Sequence, residues 1–235
     1  MKPFQFYKAK NFPILDAPIH NSVQLTFLEG STRNAYTTIK SKNTIYLQKF
    51  ELVEIYHEME KELIGITCIS AENGGVRDIN FTKILIPVNF EAYLNRNEKY
   101  LIINAPKDVC KSFYERLTKY MLTSIDLEEM KFDFAKAAPL ITEYYGAWFK
   151  GISSKVHAAA LFGREVQSDT HFIEFVKQGQ LSNIQIPFLF SDISHRIMLT
   201  KKSAVVLIEN YDNIEIELKL LTEVYVRLIK EVWGN

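Results

Sequence analysis

The stretch from Glu98 to Leu122 constrains the fold most strongly, because it joins a strand pattern directly to a helix pattern. Residues 99–103 form an apolar run, which Asn104-Ala105-Pro106 interrupts. After the interruption, apolar residues recur at intervals of three and four: Val109, Cys110, Phe113, Tyr114, Leu117, Tyr120 and Met121. Such a broad apolar stripe predicts a helix that packs onto a sheet. We expect Asn104 to be its N-cap and Pro106 to lie in its first turn.

Most segments before this stretch alternate between apolar and polar residues, which is the pattern of strands. The predicted strands are 3–7, 22–28, 35–39, 44–50, 63–70, 81–88 and 90–94, with an extended arm over 8–21. Residues 50–63 fit both a helix stripe and a strand, so this alternative stays open. Asn73-Gly74-Gly75 predicts the loop of an antiparallel hairpin between 63–70 and 81–88. A second hairpin is expected between 90–94 and 99–103.

The chain after this stretch mixes strands with helices. The predicted strands are 145–149, 155–162, 182–188, 196–199 and 204–208. One helix is expected over 134–144, although Pro139 delays or kinks it. Another is capped by Ser168 or Asp169 and ends at Gly179. The last helix begins at a capping box of Asp212 and Glu215.

These patterns predict an α+β protein in which mainly antiparallel sheets are covered by a few amphipathic helices. The acidic segment 123–133 is the expected joint between two parts. Residues 1–122 form a strand-rich subdomain ending in a covering helix, and residues 123–235 form a mixed α+β subdomain ending in a long amphipathic helix. That the two are related α+β subdomains is an alternative, although the sequence has no residue-level repeat.

Charge and cysteine content narrow the class of protein. The 28 basic and 28 acidic side chains balance, which argues against a surface built wholly for a polyanion but leaves a local basic patch open. The two cysteines, Cys68 and Cys110, lie in apolar patterns and predict a reducing compartment. No apolar run reaches the length of a membrane span. We therefore expect a cytoplasmic protein of a bacterial-type system with no membrane contact.

Catalytic patterns are weak in this sequence. The five histidines are scattered without ligand spacing, so we expect no metal and no cofactor. Asp212 followed by Glu217 and Lys219 is the pattern of a magnesium nuclease, in which carboxylates hold the ion. A helix cap at Asp212 explains the same residues and places Glu217 and Lys219 on a solvated face. We assign no catalytic residue, and a metal-dependent nuclease stays an alternative function.

The remaining features point to binding. Sixteen Phe, twelve Tyr and two Trp are abundant for one small core, and the densest aromatic segment contains Tyr144, Tyr145, Trp148 and Phe149. Burial is the simple explanation, and a protein interface is the functional one. Basic residues at predicted turns could contact phosphate: Arg196, Lys201 and Lys202, and separately Lys40 and Lys42. The first hypothesis is a non-enzymatic binding or assembly component that contacts a protein partner or itself, and nucleic-acid binding is an alternative.

Overall fold

Strands dominate the computed structural model of this protein, which describes residues 1–28, 31–70, 75–120, 124–178 and 180–233. The described part of the chain is half strand and 24% helix, and it contains twelve strands in mainly antiparallel pairing. The prediction of an α+β fold with several sheets is therefore wrong. The difference arises because hairpin pairing extends the strands through segments whose sequence also fits a helix or a loop.

The chain divides into two compact units, residues 9–127 and residues 1–8 with 128–235. Strand β1, Lys2–Asn11, contributes residues to both units. The predicted subdomains 1–122 and 123–235 stay a prediction, as does their relationship by duplication. The predicted loop at Asn73-Gly74 and the predicted helix end at Gly179 lie outside the described residues.

The described residues of the unit 9–127 form long hairpins and a helix. Its elements are β2 Ile19–Leu28, β3 Ser31–Tyr46, β4 Phe50–Ser70, β5 Val76–Asn95, β6 Tyr100–Asn104 and helix α1 Lys107–Lys119, followed by β7 Asp126–Glu129 at its end. The hydrogen-bonded order is β2-β3-β4-β5-β6-β1, and β7 also pairs with β1.

Antiparallel strand pairing in this unit resolves the structural alternatives that the sequence patterns left open. Strands β4 and β5 pair from Phe50 opposite Asn95 to Ser70 opposite Val76, which confirms an antiparallel hairpin here and makes residues 50–63 a strand. Its second strand begins at Val76 and not at the predicted Phe81. Asn95 also pairs with Tyr100, which confirms the second hairpin. The expected break at 40–43 is wrong, because β3 continues through it with only a shift of register between Ser41 and Ile45.

Helix α1 packs on the sheet as its stripe predicts. Val109, Phe113 and Leu117 are buried, and the rings of Phe113 and Phe90 meet edge to face at 5.5 Å. Asn104 is not the N-cap, because it is the last residue of β6 and pairs with Glu91. Pro106 occupies the cap position and offers no side-chain hydrogen bond, so its fixed φ sets the start of the helix.

The unit of residues 1–8 and 128–235 contains a sheet in the order β1-β12-β11-β10-β8-β9. Its elements after β1 are α2 Phe134–Ala137, a 3-10 turn Ala138–Leu140, β8 Gly146–Lys150, β9 Ala158–Phe162, a 3-10 turn Val166–Ser168, α3 Thr170–Gln178, β10 Gln180–Phe190, β11 Ile193–Thr200, β12 Ala204–Leu207, α4 Ile214–Val224, a π-helical turn Tyr225–Ile229 and α5 Lys230–Trp233.

The end of one helix and the start of another differ from the predictions in this unit. The expected helix over 134–144 is a single turn followed by a 3-10 turn containing Pro139, because proline cannot donate to a continuing helix. The last helix is capped by Asn213, whose side chain accepts a hydrogen bond from the Glu215 N–H at 2.8 Å. Asp212 is therefore not the cap, and the capping-box prediction is wrong by one residue.

Candidate functional site

The aromatic segment around β8 divides into a buried part and a half-buried part. Tyr144 and Phe149 are buried, and both pack edge to face on Phe172 of α3, at 5.7 and 5.5 Å between ring centroids. Tyr145 and Trp148 are half-buried. A partner at this segment would therefore meet Trp148 and Tyr145, while Tyr144 and Phe149 stabilise the floor beneath α3. The interface assignment of these four residues stays a prediction.

An apolar cleft of about 590 Å³ lies beside this floor, within the unit of residues 1–8 and 128–235. Aromatic and aliphatic side chains from α2, β10, α3 and the segments before β8 line it: Phe132, Phe134, Ile141, Tyr144, Phe172, Val176 and Leu181. A volume of this size is within the range of about 300–1,000 Å³ typical of ligand pockets. The cleft is therefore large enough for one or more bulky apolar groups of a ligand.

Two polar side chains at the cleft are already engaged. Gln167 accepts a hydrogen bond from the Tyr144 N–H at 2.9 Å and donates one to the Thr142 carbonyl at 3.0 Å. Asp133 caps α2 by accepting hydrogen bonds from the Ala135 and Lys136 N–H groups. These contacts hold the walls of the cleft in place and use one donor and one acceptor position of the Gln167 amide.

Two lysines supply positive charge at the same cleft. The Phe132 N–H donates to the Lys201 carbonyl at 2.9 Å, which fixes the turn between β11 and β12 beside the segment that carries Lys131. Neither Lys131 nor Lys201 has an ion-pair partner for its ammonium group among the described residues. Burial raises the pKa of the Tyr144 phenol, which keeps it neutral. The cleft thus combines an apolar interior with two lysine charges that have no ion-pair partner in the described part of the chain, and with the Asp133 carboxylate.

Three of the other predicted phosphate-contacting residues are partly neutralised by carboxylates. Lys202 pairs with Glu129 at 3.3 Å. Lys40 and Lys42 both pair with Glu54, at 2.5 and 2.8 Å, and these contacts lower the pKa of that carboxyl group. The Arg196 side chain is exposed on β11. Lys201 is therefore the one residue of this predicted set that the structure brings to the cleft, and the nucleic-acid assignment stays a prediction.

A serine–histidine pair in the unit of residues 9–127 resembles the geometry of a nucleophile and its base. The Ser112 hydroxyl lies 2.9 Å from His57 Nε2, and His57 Nδ1 lies 2.9 Å from the Thr37 hydroxyl. Burial, with a smaller contribution from Arg116, lowers the pKa of His57 to about 3. A base that resists protonation so strongly is poorly suited to accept the serine proton at neutral pH. The pair instead joins helix α1 to strands β3 and β4.

The nuclease pattern is not assembled in the structure. Glu217 is 3% exposed and forms an ion pair with Lys2, whereas Lys219 is exposed. The expectation that Glu217 lies on a solvated face is wrong, because the Lys2 ammonium group pairs with its carboxylate and allows it to be buried. Among the described residues, no group of three or more His, Cys, Asp or Glu is placed to hold a metal ion.

One polar cluster has no counterpart in the sequence predictions. His195 Nδ1 lies 2.8 Å from the Glu209 carboxylate and 2.8 Å from the Tyr211 hydroxyl. Burial, followed by the Glu209 charge, raises the pKa of Tyr211. The cluster joins the start of β11 to the segment after β12. The fourteen-residue separation of His195 and Glu209 gives no local pattern by which sequence reasoning could find it.

Comparison with known proteins gives no family for this chain. No protein-family model matches it, and no curated protein matches it. Within the described ranges, the helices are all too short or too polar to cross a membrane.

Proposed function

We propose that this chain is a non-enzymatic binding or assembly component that acts through protein–protein contacts, with the apolar cleft as its receptor. The observation that carries the proposal is the cleft lined by Phe132, Phe134, Tyr144, Phe172 and Val176, with two lysines at the same place that have no ion-pair partner among the described residues. The occupant that fits is an acidic segment of a partner protein with a bulky apolar side chain. The apolar group enters the cleft, and a neighbouring carboxylate pairs with Lys131 or Lys201.

Energetic considerations favour this occupant over a polyanion. Burial of apolar area contributes about 25 cal/mol per Å², so one or two bulky side chains supply most of the binding free energy. Lys131 and Lys201 are exposed, so their pairing contributes more to orientation and association rate than to affinity. A double-stranded nucleic acid would use the lysines through its phosphates but would leave the apolar lining unused, because its bases are already stacked and paired.

The test is selection of ligands from a random peptide library displayed on phage, followed by affinity measurement on the enriched peptides. We expect enriched peptides to carry an acidic residue close to a bulky apolar residue. Val176→Arg should fill the cleft and weaken binding about tenfold or more, or about 1.4 kcal/mol. Ile173→Arg is the matched control, because both side chains lie on α3 and are similarly exposed, at 48% for Val176 and 46% for Ile173, but only Val176 lines the cleft.

Charge reversal tests the second half of the proposal. The double variant Lys131→Glu with Lys201→Glu should weaken the same peptides and reduce the salt dependence of their binding. Peptides without the acidic and apolar pattern, or equal binding to Val176→Arg and Ile173→Arg, would contradict the proposal. Salt-dependent binding of DNA or RNA that Val176→Arg leaves unchanged would favour the nucleic-acid alternative.

A further inference from the structure

Strand β9, Ala158–Phe162, is the last strand of the sheet order in its unit. Its sequence Ala-Ala-Ala-Leu-Phe has no charged residue and no proline. Proteins usually protect an edge strand with charges, prolines or bulges, because an unprotected edge pairs with other strands. Among the described residues, no strand pairs with the outer side of β9. The edge therefore lacks the usual protection against strand pairing.

The pairing of β9 with β8 fixes which backbone groups face outward. The Gly151 N–H donates to the His157 carbonyl at 2.9 Å, and the Gly163 N–H donates to the Tyr145 carbonyl at 3.2 Å. Because hydrogen-bonding direction alternates along a strand, the odd-numbered residues face β8. The N–H and C=O groups of Ala158, Ala160 and Phe162 consequently point to the open side.

The side chains of the same three residues form an exposed apolar row. Phe162 is 65% exposed and meets Trp148 edge to face at 5.0 Å. A Cβ atom at Gly146 would lie 3.1 Å from the Phe162 ring, so glycine gives this ring its place over β8. Ala158 and Ala160 are exposed beside it and occupy little volume.

We propose that this edge pairs with β9 of a second copy of this chain, antiparallel and with Ala160 opposite Ala160. This register is self-complementary, because the large Phe162 of each copy lies opposite the small Ala158 of the other. Each opposed pair exchanges two backbone hydrogen bonds. The strand has no charge that would repel its copy. The two-fold contact covers the β9 strands of both copies at once, so no third copy can add through β9. The proposal uses a different surface from the apolar cleft and does not rest on its occupant.

The first test is the molar mass of the protein in solution, measured by analytical ultracentrifugation over a wide range of concentrations. The wild type should form a dimer reversibly, and Ala160→Pro should remain monomeric. Proline at 160 removes an outward N–H and leaves the β8–β9 ladder intact. A wild type that is monomeric throughout, or an Ala160→Pro variant that still forms the dimer, would overturn the proposal.

A cross-linking test fixes the register and covers the case in which Ala160→Pro does not fold. Directly opposed hydrogen-bonded residues lie about 5.5 Å apart between Cα atoms, a distance that a disulfide can bridge. Oxidised Ala160→Cys should therefore form a covalent dimer. Ala158→Cys is the matched control, because two copies of residue 158 are too far apart in this register. Efficient cross-linking of Ala158→Cys, or none of Ala160→Cys, would contradict the proposed pairing.

Discussion

At the residue scale, Ser203 is the buried side chain whose hydroxyl lacks a partner among the described residues. It is 2% exposed and has a φ of 55°, in the left-handed region that favours glycine. Both of its backbone polar groups are hydrogen-bonded. The N–H donates to the Thr200 carbonyl, and the carbonyl accepts from the Phe6 N–H. The strain therefore comes from the side chain, and the turn itself is well anchored.

We predict that Ser203→Gly raises the free energy of unfolding by about 1 kcal/mol, because it removes both the strain and the unpaired hydroxyl. Urea denaturation measures the change. Ser153→Gly is the control. The Ser153 hydroxyl accepts a hydrogen bond from the Val156 N–H at 2.9 Å, so its removal should lower the free energy of unfolding. A loss of stability in Ser203→Gly would show that the hydroxyl has a role that its surroundings do not reveal.

The low pKa of His57 predicts how the stability of the folded protein depends on pH. Its folded-state pKa of about 3 lies below the ordinary 6.5, so below pH 6.5 the unfolded chain binds a proton that the folded chain refuses. The contribution of His57 to stability is therefore present above pH 6.5. It falls as pH decreases towards 3, by up to about 1.4 kcal/mol per pH unit.

Denaturation curves between pH 4 and about 7.5 should show a smaller pH dependence in His57→Gln than in wild type, because the glutamine does not titrate. His20→Gln is the control, because it replaces an exposed imidazole by the same residue. An NMR titration of the wild-type imidazole gives a direct check. A midpoint near 6.5 would contradict the account and would reopen the Ser112–His57 pair as a catalytic dyad.

At the element scale, helix α1 is anchored where β3 and β4 separate. Their pairing ends at Thr37 opposite His57. Next to this point, the buried Arg116 of α1 donates to the Glu58 carbonyl at 2.8 Å, and the Glu58 carboxylate accepts from the Tyr36 N–H at 2.9 Å. The helix thus supplies a hydrogen bond to the Glu58 carbonyl, and the Glu58 side chain supplies one to the Tyr36 N–H, where the β3–β4 ladder has ended.

Arg116→Met should therefore lower the free energy of unfolding by about 2–3 kcal/mol, because it leaves a buried carbonyl without its charged donor. Hydrogen exchange should rise locally around residues 36–38 and 57–59. Lys119→Met on the same helix is the control, since Lys119 is exposed and should change stability little. Unchanged exchange at the separation of β3 and β4 in Arg116→Met would contradict this role.

The strands also show which features of the fold the sequence patterns predict and which they do not. Period-two alternation correctly predicts the β4–β5 and β5–β6 hairpins, because burial on one face fixes the pattern and the turns fix the partners. Residues 50–63 could not be assigned, since Phe50, Val53 and Tyr56 fit a helix equally well until β5 supplies a pairing partner. The fold class was missed for the same reason, as strand length depends on long-range pairing that no local pattern contains.

At the scale of the whole molecule, the cleft could be predicted only in parts. Tyr144 and Lys201 were singled out for different reasons, yet both line one cleft with Phe132 and Phe172. No spacing in the sequence relates these four residues, because the backbone bond from Phe132 to Lys201 and the packing of α3 on β8 bring them together. The burial of Glu217 was missed similarly, because its partner Lys2 lies at the other end of the chain.

The most direct test of the binding proposal is to locate a bound peptide on the protein. A selected peptide would carry a photoreactive benzophenone in place of its bulky apolar side chain, and mass spectrometry would identify the cross-linked residues. The account predicts adducts on the cleft, at Phe132, Phe134, Tyr144, Phe172 or Val176, which Val176→Arg abolishes and Ile173→Arg leaves intact. Adducts concentrated elsewhere, such as beside Lys40 and Lys42, would contradict the cleft as the receptor.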